Sequence, residues 1–244
     1  MIHTFEFNNK KLIELGAMIT EKPILFGSSK ELEFSSLPGK SGDVVIDKKR
    51  FKNKVLSYKI ASVPTLCPYN SQQLVYALRE WLLTCYDYKM LRDTYNTGYF
   101  RKAVCTDVSD PVVDAEGLIR TTATFNCDPF LYDMQGINEI TVNSSTTLIN
   151  SEMWDSEPIF KVNGSGTFTI SVNGNSFEIT LNGTEITIDK PNEDVYYTST
   201  GMSCNDKISA LALPYFQPGE NTITISTESG TNFSMSIIPN WRRL

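Results

Sequence analysis

Histidine is almost missing from this chain: of 244 residues, only His3 is one. A Ser-His-Asp or Cys-His nucleophilic arrangement would have to be built on that single residue near the N-terminus. The reading adopted is a structural histidine in the first strand. The motifs HExxH and GxSxG and the phosphate-cradling Walker loop are absent too. Gly164-Ser165-Gly166 reads as a turn-rich tripeptide. No two cysteines are spaced CxxC. The five present, Cys67, Cys85, Cys105, Cys127 and Cys204, are odd in number and widely separated. That pattern fits reduced thiols in a cytosol-made protein better than a disulfide framework or a zinc site. No EF-hand spacing occurs, so neither a metal nor another cofactor is expected. No apolar run approaches the ~18 residues of a membrane span. The opening MIHTFEFNNKKL has no apolar h-region, so no secretory signal is expected. The Asn-x-Ser/Thr triplets at Asn143, Asn163, Asn182 and Asn232 are accordingly read as turn residues.

Basic charge is also scarce. The net charge is -6, and a protein that neutralises phosphates needs a basic face. The only run of note is Lys48-Lys49-Arg50, followed by Lys52 and Lys54, which reads as a solvated hairpin or loop. Nucleic acid is therefore not expected as a partner. Residues 1–133 hold 17 basic and 16 acidic groups, and residues 134–244 hold 5 and 12, so the two parts carry +1 and -7. The shift in charge and composition places a domain boundary near residue 134.

What is plentiful is strand and turn chemistry. Phe5 and Phe7 alternate with polar residues, and Leu12 to Ile19 reads as another strand. Val44 to Ile46, Val55 to Val63, Tyr99 to Val108 and Leu118 to Cys127 follow. Pro129 cannot donate to a ladder, so the last of these should end near it. One helix is expected. Asn70 can cap it, Gln73 can return the capping bond, and Leu74, Leu78, Trp81, Leu82 and Cys85 repeat at helical spacing. Arg79 and Glu80 are placed on its outer face. In the second half, Phe168-Ile170-Val172 and Phe177-Ile179-Leu181 alternate on either side of Asn173-Gly174, a pair suited to a tight type I′ hairpin. Asn182-Gly183 then leads to Ile186 and Ile188. Ile223 and Ile225 and, after Gly230, Phe233, Met235 and Ile237 repeat the idea. Residues 134–244 are read as a β-sandwich of jelly-roll or lectin-like kind.

Two stretches carry more than generic β grammar. Leu37-Pro38-Gly39-Lys40-Ser41-Gly42 resembles the IPGRxG-type loop of the distal tail proteins of long, non-contractile-tailed bacteriophages. Lys40 stands where that pattern often has Arg, and Leu37 where it often has Ile. The order continues with the Trp81 helix, Tyr99-Phe100-Arg101-Lys102-Ala103, and Thr124 to Phe130. Ser156 to Gly166, the Asn-Gly meander, Ile186-Thr187-Ile188-Asp189, Leu213-Pro214 and Pro218-Gly219-Glu220-Asn221 are similar to the galectin-like C-terminal domain of the same family.

The resemblance implies a mainly β protein. Its N-terminal domain (1–133) would be a sandwich or barrel-like ring-former with one helix, and its C-terminal domain (134–244) a galectin-like sandwich. It implies a non-enzymatic hub in the virion, at the tail tip or baseplate, made in the host cytoplasm. A homo-hexameric ring would join the tail tube protein to a tail-associated lysin or fibre hub protein and to receptor-binding proteins. For the ring contact, Pro38, Gly39, Lys40, Gly42, Lys48, Lys49 and Arg50 are the candidates. A second reading makes the C-terminal domain a carbohydrate-binding module, with Trp154, Tyr196, Tyr197 or Trp241 as a stacking platform. A third is a glycoside hydrolase using Glu152, Asp155 or Glu157, whose required carboxyl spacing sequence cannot show.

Overall fold

A computed structural model describes residues 2–24, 27–210, 212–227 and 229–244. Among these the chain is mainly β with one α-helix, and it divides into two compact units, Met1–Leu131 and Tyr132–Arg243.

The N-terminal unit is built from β1 (Phe5–Phe7), β2 (Lys10–Lys11), β3 (Ala17–Ile19), β4 (Lys30–Ser35), β5 (Val44–Phe51), β6 (Lys54–Ser62), α1 (Ser71–Leu82), β7 (Lys89–Asp93), β8 (Tyr99–Val108), β9 (Val112–Val113) and β10 (Ile119–Cys127). The main sheet runs β2-β1-β7-β8-β10-β6-β3, with β9 on β10. Its strands alternate between buried and open residues, so one face is apolar. Phe5, Phe7, Tyr58 and Phe125 meet there in tilted and edge-on contacts at 5.0 to 5.9 Å. The helix covers this cluster with Leu74, Val75, Leu78 and Leu82.

The helix starts as its sequence dictates. The Asn70 side chain accepts from Gln73 N at 2.9 Å, and Asn70 N donates to Gln73 Oε1 at 3.1 Å, satisfying two groups the first turn cannot pair itself. Arg79, expected on the outer face, instead reaches back to the sheet. It donates twice to the Val108 carbonyl, at 3.1 and 2.9 Å, and once to Asp110 at 2.8 Å. Trp81 stacks near Phe5 at 5.7 Å, and its Nε1 donates to the Phe7 carbonyl at 3.1 Å.

The segment Leu12 to Ile19 is not one strand. Leu12–Leu15 forms a 3₁₀ turn, which puts both leucines into the core, and β3 begins only after Gly16. Gly16 has φ +68°, and a Cβ there would lie 2.4 Å from the Cys67 backbone. Angle and space both require glycine at this point.

After β11 (Leu131–Asp133), which straddles the boundary, the C-terminal unit comprises β12 (Ile140–Thr141), β13 (Thr146–Asn150), β14 (Ile159–Val172), β15 (Asn175–Asn182), β16 (Ile186–Asp189), β17 (Asp194–Tyr197), β18 (Ile208–Ser209), β19 (Gly219–Thr227) and β20 (Thr231–Ile238), and β21 (Arg242–Arg243), which pairs with β11. The long strand β14 organises it. Residues 159–162 pair with β16 and β20, and residues 168–172 pair with β15 and β19. A register shift between Asn163 and Ser165 marks the change of partners, as bulges do at sheet corners. Asn173 and Gly174 both have positive φ, at 53° and 85°, and close the β14–β15 hairpin as a two-residue turn.

The second Asn-Gly pair behaves differently. β15 and β16 do not pair with each other; β16 lies between β14 and β17, with all four of its residues buried. The core collects Phe160, Phe168, Phe177 and Phe216, and the Trp241 ring sits 5.4 Å from that of Phe216.

One polar residue inside this unit is fully used. Asn221 has no exposure. Its Oδ1 accepts from Gln217 N at 2.7 Å and Asn173 Nδ2 at 2.8 Å, and its Nδ2 donates to the Gln217 and Gly219 carbonyls at 2.8 and 3.0 Å. Removing the amide strands those partners. Asn221→Ala is expected to cost about 2–4 kcal/mol, read as a lower urea midpoint at unchanged slope. A Gly16→Ala substitution should cost at least about 2 kcal/mol by overpacking and strain in the other unit.

Candidate functional site

The most distinctive surface of the N-terminal unit is the ribbon β4–β5. These two strands form a sheet of their own and pair with no other strand among the described residues. Their connection is Leu37 to Gly42. Lys40 N donates to the Leu37 carbonyl at 3.2 Å, Pro38 takes the second corner and Gly39 the third with φ +79°, the signature of a type II turn. Gly42 has φ +85°, and a Cβ at either glycine would meet nothing within 4 Å. The backbone angle, not crowding, selects glycine here.

The register sets Phe34 opposite Val45 and Leu32 opposite Asp47. Strand alternation therefore places Leu32, Phe34 and Val45 on one face. That face is open: Phe34 is 61% exposed and Val45 55%. Leu37 at the turn and Ile46 on the other face are also exposed. A two-stranded ribbon with bare apolar side chains is marginal by itself, and contiguous exposed apolar surface marks a contact site. Its base is anchored within the unit. Phe51 meets Phe130 edge-on at 5.9 Å, and Lys52 N donates to the Ser29 carbonyl at 2.9 Å.

The basic run belongs to this ribbon, but not as a hairpin of its own. Lys48, Lys49 and Arg50 lie inside β5, and after Lys52 and Asn53 the chain enters β6, which pairs in the main sheet. The hairpin is β4–β5, and Pro38, Gly39, Lys40 and Gly42 are its tip. The charges are matched across the strands: Lys48 with Glu33, Arg50 with Glu31 at 3.1 Å, and Lys30 with Asp47 at 3.9 Å. Asp47 Oδ1 also accepts from Lys49 N at 2.8 Å, where Lys49 takes φ +54° in the bulge.

The sites proposed for other chemistry are dispersed. His3 is stacked on Tyr95 at 4.3 Å, and its Nδ1 lies 3.2 Å from Thr94 Oγ1. Burial pushes the thiols of Cys105 and Cys127 up to about 11 and about 12, where little nucleophilic thiolate remains at neutral pH. Of the three acidic candidates around Trp154, Glu157 accepts from the buried Arg242 at 2.7 Å, and that arginine also donates to the Asp155 carbonyl at 2.7 Å. The Glu152 backbone N donates to Asn150 Oδ1 at 3.0 Å. Among the described residues no group of three potential metal ligands occurs, and no helix is long and apolar enough to cross a membrane.

The four aromatic candidates differ in burial. Trp241 is 7% exposed and Tyr197 packs against the core. Tyr196, next to Tyr197 on β17, points to the opposite face. Trp154 is half-buried, and its carbonyl accepts from Asn150 Nδ2 at 3.0 Å.

No family model matches the chain, and no curated protein sequence does. In fold it is similar to the crystal structure of SPP1 Dit, described there as a paradigm of hub adsorption apparatus in Gram-positive infecting phages. The likeness spans 100% of both chains with a TM-score of 0.71, at 14% sequence identity. Both β units and the order of their elements are thus those of a known fold.

The ribbon's ion pairs predict a pH window. The hydrogen bond from Lys48 holds the Glu33 carboxyl below its usual value of 4.5, and the same bond holds Lys48 above 10.5. A depressed carboxyl stabilises the pair fully above 4.5 and loses that effect as pH falls through its folded value. A raised ammonium stabilises it below 10.5 and loses that effect above its folded value. Cross-strand NOEs between Glu33 and Ile46 should therefore hold from mildly acidic to mildly basic pH and weaken at both extremes. Molar salt should weaken them at neutral pH.

Proposed function

We propose that this protein is the distal tail protein of a long-tailed bacteriophage: a structural hub subunit that assembles with copies of itself into a ring at the tail tip. The observation that carries this reading is the likeness to SPP1 Dit along the whole of both chains. The loop Leu37 to Gly42 supports it from the sequence side, and the bare ribbon supports it physically. A ring requires a heterologous interface that closes on itself. Phe34, Val45 and Leu32 supply an apolar patch for such an interface, and the pairs of Glu33 with Lys48 and Glu31 with Arg50 on the opposite face hold the ribbon's two strands in register.

In this reading the ring is hexameric and joins the tail tube protein to the fibre hub or tail-associated lysin. The C-terminal unit serves as the arm that docks receptor-binding proteins. The protein performs no catalytic step and acts in the virion.

Native mass spectrometry and light scattering across a concentration series test this. The expected result is a ring-sized species, six-fold by electron microscopy, that gains population with concentration or on adding tail tube protein. Phe34→Asp with Val45→Asp should weaken self-association by roughly a hundredfold. The melting temperature should be unchanged, because neither side chain belongs to the core. A monomer at every concentration and with every tail partner would overturn the reading.

A further inference from the structure

The sheet of the C-terminal unit ends in the strands β12, β13, β17 and β18. An end strand shows unpaired N–H and C=O groups, and it recruits further strands unless it is short, charged, bulged or covered. β12 and β18 are two residues each. β17 is covered by the chain that follows it: Tyr197 N donates to the Met202 carbonyl at 3.0 Å, and Cys204 N to the Val195 carbonyl at 2.7 Å. β13 has none of these protections. Its residues, Thr146-Thr147-Leu148-Ile149-Asn150, include no charge, proline or glycine, and they pair with β19 without a register shift. On their other side the backbone pairs with nothing among the described residues. Alternate residues of a strand turn their N–H and C=O to that side.

The surface beside this edge says what kind of strand fits. The register puts Thr147 opposite Thr222 and Ile149 opposite Glu220, so these four side chains share the outer face of the sheet. Ile149 is 66% exposed. The same face continues across the ladder through Ser226 and Thr169 to Glu178. Glu220 and Glu178 are both exposed, and neither has an ion-pair partner among the described residues. The basic residues of the unit are Lys161, Lys190, Lys207, Arg242 and Arg243. None of them lies on β13, β19, β15 or the C-terminal half of β14. A second copy paired here would extend the sheet with another face of bare carboxylates. A strand bearing lysine or arginine would meet this face with opposite charge instead.

We propose that the β13 edge takes up an extended segment of a different protein as an additional strand. The outward residues of that segment are basic, with a β-branched apolar residue against Ile149. In such strand addition the backbone gives attachment and the side chains give selectivity. The proposal names the docking surface of the C-terminal arm, and so rests on reading that unit as an arm.

The test is an amide-resolved NMR titration of the full chain carrying Phe34→Asp with Val45→Asp, so that ring formation does not enter the readout. Three short peptides are the probes: threonine alternating with lysine around a central valine, the same with glutamate for lysine, and the same with proline for valine. The lysine peptide should shift the amides of Thr146 to Asn150 saturably, with a Kd on the order of 1 mM. The glutamate peptide should bind roughly tenfold more weakly, and the proline peptide, which lacks a ladder donor, should not pair. Ile149→Lys should weaken the lysine peptide roughly tenfold. Glu220→Gln with Glu178→Gln should remove the preference for lysine over glutamate. All three side chains are exposed, so these variants should fold like the parent. No saturable shift at about 5 mM lysine peptide, equal binding of the glutamate peptide, or unchanged binding by Ile149→Lys would each overturn the proposal. So would shifts at β13 that grow with protein concentration alone, which would assign the edge to a second copy. Ring formation is read separately, by native mass spectrometry of the parent chain, so the two readings fail independently.

Discussion

An antiparallel strand has one apolar face to bury, and a ribbon of two strands has no second layer of its own against which to bury it. In this protein every long strand except two resolves that problem within its own unit. Phe5, Tyr58 and Phe125 close over α1, and Phe160, Phe177 and Phe216 close over one another. The strands β4 and β5 leave Phe34 and Val45 in the open. The ordered turn at Leu37–Lys40 and the matched charges keep this ribbon formed, while its apolar face remains available to something outside the chain. The proposed assembly follows from that imbalance.

The electrostatics fit the same division. Each pair on the ribbon is solvent-exposed and adds little to stability. What such pairs supply is register within the ribbon: Glu31 and Glu33 on one strand meet Arg50 and Lys48 on the other, on the face away from Phe34 and Val45. The basic run therefore leaves no net positive patch, since the acids on β4 face it. Lys48-Lys49-Arg50 looks like a polycation in one dimension and is largely neutralised in three.

That contrast shows what could be read from the sequence. The helix was legible because its signal is local: Asn70, Gln73 and an apolar stripe lie within a dozen residues. The Asn173-Gly174 hairpin was legible for the same reason. The roles of Lys48 and Arg50 were not, because their partners lie on another strand across the hairpin. Leu12 to Leu15 read as a strand because a 3₁₀ turn and a short strand can show the same apolar residues; the deciding contact is Gly16 against Cys67, far along the chain. The order β15, Asn182-Gly183, β16 looked like a continuing meander, and only the pairing of β16 with β14 reveals a change of partner.

The ribbon presents apolar side chains that lose water on contact, the kind of patch that sustains a lasting interface. Its cross-strand ion pairs lie on the face away from Phe34 and Val45. Water can therefore stay on that charged face while the apolar one is covered, so the ribbon can join an interface without desolvating the pairs that keep its strands in register.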